Sequence, residues 1–436
     1  MYAQSYFEEI EQDLQSLASS GIRPGLARLA RLLSLLGNPE RSFPAVHVVG
    51  TNGKGSTAAA MASILMESGY RTALYTSPHL VSFKERLEIN GVYAAPQKWC
   101  DAAAKIKKIM NESVFFIEDK PTLFELITAA AFMIIAEEDA DIAVVEAGLG
   151  GRLDATNILK NVVLTLITPI GMDHMEYLGG TIKSIAYEKF SVMRKNTPAL
   201  FADNDAELGG YFMEMASKAR ACGHLMSNMC SISNVATSLD GTVFSLQTQS
   251  GERRYATPLA GLYQAENAAL AIMGAQMIKD EFCKISETAI SEGIKKTSWR
   301  GRLEKIADNP VILVDGAHNP HAMKRLVETL VRINGHNSLS IVLAMMQDKD
   351  VKAALEILRQ LDPLVYCTQV PLMERSMRAG SLCMLARECK LRTAGVWDDP
   401  LSALNAAAQS ASMVVCCGSL YLVGYIKAKI DENGRF

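Results

Sequence analysis

The stretch Gly50-Thr51-Asn52-Gly53-Lys54-Gly55-Ser56-Thr57 constrains this chain more than any other. It follows a short apolar run, Val46 to Val49, and precedes a helical pattern from about Thr57 to Ser68. Glycines at this density let backbone N–H groups close around oxygens without Cβ clashes. The following helix adds its positive N-terminal dipole, so the turn reads as a phosphate cradle. Lys54 would reach the outer phosphates and Ser56 would offer a hydroxyl to Mg²⁺. The loop departs from the general G-x-x-x-x-G-K-[ST] form: Val48 occupies the first glycine position, and Gly55 separates lysine from serine. The competing reading is a glycine turn with a solvated lysine, which the strand-before, helix-after context disfavours.

A second strand, Thr72 to Tyr75, completes a strand–turn–helix–strand unit and implies a parallel α/β sheet. Ile142 to Val145 and Val162 to Ile167 read as further strands, separated by helical patterns such as Phe124 to Ala136. Before them, residues 2–36 read as helices stopped by Gly37-Asn38-Pro39. Thr242–Thr248 with the turn Ser250-Gly251-Glu252 reads as a hairpin, and Ala265 to Ile278 as a helix. Trp299-Arg300-Gly301-Arg302 looks like a joint. Beyond it the alternation restarts with Val311–Val314, Ser340–Ala344, Leu364–Thr368 and Met413–Cys417 as strands. The expected organisation is therefore a domain over residues 1–298, a joint at 299–302, and a second α/β domain over 303–436.

Bulk properties exclude several classes. A formal net charge of -3 gives no electrostatic reason to bind nucleic acid or an anionic membrane. No apolar run approaches the roughly 20 residues that span a bilayer, and the acidic amphipathic start does not read as a secretory signal. Nine cysteines at irregular spacing, with Cys416 and Cys417 in an apolar run, suit a reduced chain. A cytoplasmic protein is the expectation.

The loop's Gly-Thr-Asn-Gly-Lys-Gly-Ser resembles the nucleotide loop of the Mur ligase superfamily in its folylpolyglutamate/dihydrofolate synthase branch. The likeness continues in family order through Thr76-Ser77-Pro78-His79-Leu80, Glu85-Arg86, Phe124-Glu125 and Glu146-Ala147-Gly148-Leu149-Gly150-Gly151-Arg152-Leu153-Asp154-Ala155-Thr156-Asn157. Asp173-His174, Gln264, Asn267-Ala268, Gly301-Arg302-Leu303-Glu304, Asp315-Gly316-Ala317-His318-Asn319-Pro320, Asp348-Lys349-Asp350 and Gly418-Ser419-Leu420-Tyr421 complete it. The resemblance implies an N-terminal P-loop parallel-sheet ATPase domain and a smaller C-terminal Rossmann-like α/β domain. It implies ATP and Mg²⁺, a reduced folate or dihydropteroate acceptor, L-glutamate, and a monomer.

Thr51, Asn52, Gly53, Lys54, Gly55, Ser56, Asn267, Arg302 and Asp315 are then the nucleotide residues, and Ser56, Ser77, Glu146 and His174 the metal candidates. Read alone, Glu146 at a strand end could equally cap a neighbouring helix or pair with Arg152, Asp315 could cap the helix after Asn319, and Arg302 could bridge domains. The acceptor pocket would draw on Thr122, Leu123, Phe124 and Glu125 with Leu153, Asp154 and Ala155. Lys54, Lys189 and His318 are the catalytic candidates. The resemblance gives Lys189 as a carbamylated lysine, whereas its sequence context alone favours a surface lysine paired with a glutamate. His47, His224, His321 and His336 carry no partner signal and read as structural.

Four positions depart from the family: Arg300 stands where proline is usual, Phe190-Ser191 where alanine-glycine is usual, and Arg23 where bifunctional members often carry an acid. Arg23 makes dihydropteroate a less secure acceptor than folates. A peptidoglycan-precursor ligase of the same superfamily is the nearest alternative, and a nucleotide-switch protein the alternative from another class.

Overall fold

The computed structural model describes residues 2–203, 205–334 and 338–433. Its centre is an eight-stranded sheet built from β1 (Ala45–Val49), β2 (Thr72–Tyr75), β3 (Leu87–Ile89), β4 (Val92–Tyr93), β5 (Ile142–Glu146), β6 (Val162–Ile167), β7 (Pro198–Phe201) and β8 (Cys222–Leu225). Their spatial order is β4-β3-β2-β5-β1-β6-β7-β8. Six strands run parallel, while β3 and β4 turn back as an antiparallel edge. β1, in the middle, is buried along its whole length, as expected of a parallel strand covered on both faces. His47 sits in it fully buried, its Nε2 2.9 Å from Thr156 Oγ1 while Nδ1 has no partner among the described residues, inside the sheet and away from the cleft.

The helix Lys54–Glu67 is almost entirely buried and rich in alanine. Small side chains let the helices Tyr263–Ile278 and Glu287–Lys296 approach it closely. The helix begins at Lys54, three residues before the sequence reading had placed its start. The reason is that Gly53 takes a left-handed φ of 90° and acts as N-cap, so Lys54, Gly55 and Ser56 form the first turn. An antiparallel three-stranded sheet, β9 (Cys230–Ser238), β10 (Gly241–Thr248) and β11 (Gly251–Thr257), contains the expected hairpin.

The second sheet comprises β12 (Glu304–Asp308), β13 (Val311–Val314), β14 (Leu339–Leu343), β15 (Leu364–Cys367), β16 (Arg392–Val396) and β17 (Met413–Cys417), ordered β12-β13-β17-β14-β15-β16. All neighbours are parallel except β12 with β13. The two parallel-containing sheets thus carry antiparallel edges that apolar periodicity did not reveal. β3, β4, β12 and β16 are short and partly exposed, which leaves little hydrophobic pattern to read.

At the joint, Gly301 N–H donates to Glu304 Oε2 at 2.7 Å and Gly316 N–H to Gly301 O at 3.0 Å. The Trp299 indole lies against Gly55, where any Cβ would strike it. Arg300 carries its charge toward Glu88 at the antiparallel edge, partly offsetting the rise in the Glu88 carboxyl that burial causes. No helix among the described residues is long and apolar enough to cross a membrane. The described cysteines are all free.

Candidate active site

In open α/β sheets, ligands gather beyond the carboxyl ends of the strands. Both sheets turn those ends toward one cleft of about 710 Å³. β1 delivers Gly50–Ser56, β2 leads to Ser77, and β5 ends in Glu146. The segment after β6 supplies Asp173 and His174, and β13 leads to Asp315 and His318 from the other side.

The phosphate loop is anchored through its Thr51 side chain. Thr51 Oγ1 accepts from Gly171 N–H at 3.1 Å, and among the described residues Lys54 Nζ donates only to Thr51 O, at 3.1 Å. A side chain at Gly53 would strike the Asn267 carboxamide, so the loop and the helix Tyr263–Ile278 touch there. Asn267 is fixed in turn by Gln264 Oε1 at 2.9 Å.

The oxygen set proposed for a metal survives a donor test. Ser56 Oγ and Ser77 Oγ are buried with no hydrogen-bond partner among the described residues. Glu146 is 5% exposed and accepts from Ser77 N–H at 3.1 Å. Burial pushes the Glu146 carboxyl up, and Lys54 and the Ser77 N–H partly counter this. Glu146 does not pair with Arg152, which binds Glu188 at 2.9 Å instead. Hard oxygens around a buried carboxylate suit Mg²⁺ beside phosphates. His174 is a nitrogen donor; its ring lies 3.9 Å from Asp173, and burial pulls it down to about 4, so it is neutral at physiological pH.

Lys189 is not the surface lysine its local sequence suggested. It is 4% exposed, and Nζ donates to Gly50 O at 2.7 Å. Burial, then the nearby Lys54 charge, pulls its pKa down to about 7. Its neighbour Phe190 does not crowd the cleft. Phe190 is buried against Phe201, Tyr211 and Phe212, with ring centroids 5.1–5.9 Å away.

Asp315 does not cap the next helix, because Asn319 does so by accepting from Ala322 N–H at 2.8 Å. Asp315 instead accepts from Ala317 N–H and Leu303 N–H, both at 2.8 Å, and faces the Arg302 charge. His318 reaches back across the cleft, with Nδ1 2.8 Å from Gly316 O and Nε2 3.4 Å from Asp173 Oδ2.

Thr122, Leu123, Phe124, Glu125, Leu153, Asp154 and Ala155 all line the cleft. Phe124 stacks on Tyr75 at 6.4 Å. The two carboxylates are already engaged: Glu125 pairs with the buried Arg28 at 3.1 Å, and Asp154 accepts from Leu149 N–H and Thr156 N–H. Arg23 ties its loop to Asp119 at 2.6 Å.

Asp173, Asn319, Lys349 and His321 were given no role from sequence, yet they stitch the domains together. Asp173 accepts from Lys349 Nζ at 2.7 Å and Asn319 Nδ2 at 3.0 Å. Asn52 Nδ2 meets His321 Nδ1 at 2.9 Å, so His321 is not an isolated structural histidine. His336 lies outside the described residues.

Residues 48–275 match the Mur ligase middle domain, and residues 301–420 match the Mur ligase glutamate ligase domain. The chain is 32% identical over 415 residues to the dihydrofolate synthase/folylpolyglutamate synthase of Bacillus subtilis, covering 94% of this chain and 96% of that one. It belongs to the folylpolyglutamate/dihydrofolate synthase family of Mur ligases.

Solved structures of the family superpose closely. Mycobacterium tuberculosis folylpolyglutamate synthase complexed with ADP gives a TM-score of 0.89 at 28% identity, covering 98% of each chain. Escherichia coli FolC in complex with DHPP and ADP gives 0.87 at 27% identity, again covering 98% of each. The family's parallel-sheet core, followed by a separate α/β unit, is the architecture seen here.

Proposed function

We propose that this chain uses ATP to join L-glutamate to the carboxylate of a folate, through an acyl phosphate, releasing ADP and phosphate. The observation that carries the reading is the single cleft in which the Lys54 loop, the oxygen set around Glu146 and the Arg302–Asp315 pair face one another. The ADP-bound state of two family structures supports the nucleotide, and the DHPP of one supports a pteroate-type acceptor.

A carboxylate is a poor electrophile, so the γ-phosphoryl must first be transferred to it. That step brings two anions together. Lys54 and the N–H groups of the first helical turn would offset the charge on the phosphates. Arg302 would reach the nucleotide from the joint, with Asp315 orienting that segment. The amine of glutamate then attacks the acyl carbon, loses a proton, and phosphate departs. The second domain covers the cleft and excludes water from the acyl phosphate. His318, bridging Gly316 and Asp173, suits a positioning role. Ser56, Ser77 and Glu146 would hold Mg²⁺, with His174 at a second position; the ion would supply positive charge at the phosphate oxygens.

Lys189 suits carbamylation on physical grounds. The reaction needs a neutral amine, and burial already brings this one to about 7. A carbamate would place an anion where an ammonium is disfavoured. The acceptor range includes folates, with dihydropteroate as a second acceptor. Soluble, monomeric, cytoplasmic behaviour completes the proposal.

The test is ATP consumption against acceptor and glutamate, with products read by mass spectrometry. ADP should accumulate in proportion to glutamylated product and only when both acceptor and glutamate are present. Hydrolysis that ignores both would instead mark a nucleotide switch.

A further inference from the structure

We infer that Arg86 grips the acceptor's carboxylate, the group that receives the phosphoryl. The inference rests on the ligase reading and adds to it a residue that reads the substrate's charge.

Arginines line this cleft on every side, but most are committed. Arg23 pairs with Asp119, Arg152 with Glu188, Arg325 with Glu266 and Arg375 with Asp348, at 2.6–3.1 Å. Arg86 has no such partner. Among the described residues no carboxylate makes an ion pair with it. Its sequence neighbour Glu85 is unavailable, because that carboxylate accepts N–H groups from Leu80, Val81 and Ser82 at 2.6–3.2 Å. The loop after β2 is wrapped around Glu85, and Arg86 is left facing the cleft.

The guanidinium is also aimed. Its Nε donates to His79 Nδ1 at 3.1 Å. With Nε occupied, the terminal nitrogens remain for a ligand, the fork that matches a carboxylate. The Arg86 backbone is independently pinned, since its carbonyl accepts from Thr76 N–H at 3.0 Å. A side-chain substitution therefore leaves the loop's frame in place.

Position selects the ligand. Strand register sets Leu87 opposite Tyr75, which stacks on Phe124 of the acceptor wall, and the bond from Thr76 N–H to the Arg86 carbonyl sets Arg86 beside Ser77, whose own N–H binds Glu146. Arg86 thus lies between the phosphate end of the cleft and the aromatic wall. An aromatic acceptor lying against Phe124, with its carboxylate toward the γ-phosphate, presents that carboxylate there. Lys54 and Arg302 serve the nucleotide, which leaves Arg86 for the acceptor.

The test compares wild type, Arg86→Gln and Arg86→Lys. Binding of pteroic acid and of its methyl ester is measured with a non-hydrolysable ATP analogue present, alongside steady-state kinetics. Wild type should prefer the acid. Arg86→Gln should lose that preference and about 100-fold in kcat/KM for the acceptor, with KM for ATP within about twofold. Arg86→Lys should recover only part, because the charge returns without the fork. His79→Ala should raise acceptor KM severalfold in the same sense. Undiminished acid-over-ester preference in Arg86→Gln would overturn the assignment, as would an equal rise in the ATP and acceptor KM values. Failure of wild type to consume ATP with acceptor and glutamate would sink the ligase reading itself. An active wild type with an unchanged Arg86→Gln sinks Arg86 alone.

Discussion

Lys349 of the second domain places its ammonium 2.7 Å from Asp173 Oδ1 of the first, and both side chains are only 7% exposed. Burial opposes ionisation of Asp173, but the His318 hydrogen bond and the surrounding positive charges hold its carboxyl well below the usual range. A buried pair between domains is stable only while both partners are present.

Lys349→Met should therefore loosen the closed arrangement by about 3 kcal/mol, the usual cost of stranding one buried charge. Small-angle scattering should show a larger radius of gyration, and kcat should fall more than the unfolding midpoint. The double variant Asp173→Asn/Lys349→Met should lose less than the two single losses added together. Strict additivity would mean that the two residues act separately.

Lys54→Ala removes a side chain whose hydrogen bond reaches only Thr51 O within its own loop. Stability should change by no more than about 0.5 kcal/mol, while acceptor-dependent ADP formation should fall about 10²–10³-fold. Near-normal turnover by the folded variant would return Lys54 to a solvated loop.

Lys189 makes folding depend on pH. An unfolded lysine keeps its proton to about pH 10.4, whereas the folded site gives it up at about 7. Between those values unfolding takes up a proton, so stability rises with pH by about 1.4 kcal/mol per unit, and it is lost as pH falls toward 7. Lys189→Met lacks this dependence. In CO₂-free buffer, urea titrations at successive pH values from 7 to 9 should show wild type gaining on the variant by about that slope. A constant gap would mean that Lys189 is not buried as an amine.

Gly55→Ala tests the contact between joint and phosphate loop. The new methyl would overlap the Trp299 indole, and overpacking of this kind costs about 1–3 kcal/mol. The thermal midpoint should drop and KM for ATP should rise together. Adding Trp299→Leu should restore part of both, and no restoration would place the damage elsewhere.

The long buried strands and the phosphate loop were legible because parallel strands are continuously apolar and the loop's glycines are local. Glu146 could be placed at a strand end for the same reason. Its neighbours could not be chosen: pairing with Arg152 was open until the fold gave that arginine to Glu188. Asp315 was equally ambiguous, since Asn319, four residues on, is an equally good cap and takes the helix. Lys349 fell within a family motif and His321 did not, but neither pairing was readable, because the partners Asp173 and Asn52 lie far away in the chain and meet them only across the closed cleft. Family resemblance supplied the Lys189 reading, whereas its burial belongs to packing that no local pattern encodes.

The loop that carries Arg86 also meets the joint and the second domain at two glycines. Leu80 lies against Gly301, and its carbonyl abuts Gly424, where a Cβ has no room. Apolar contact of this kind weakens on cooling, unlike the Asp173–Lys349 attraction. Two forces with different temperature dependence therefore act between the domains. Cooling should loosen the Leu80 side of the cleft first while the Lys349 side stays latched.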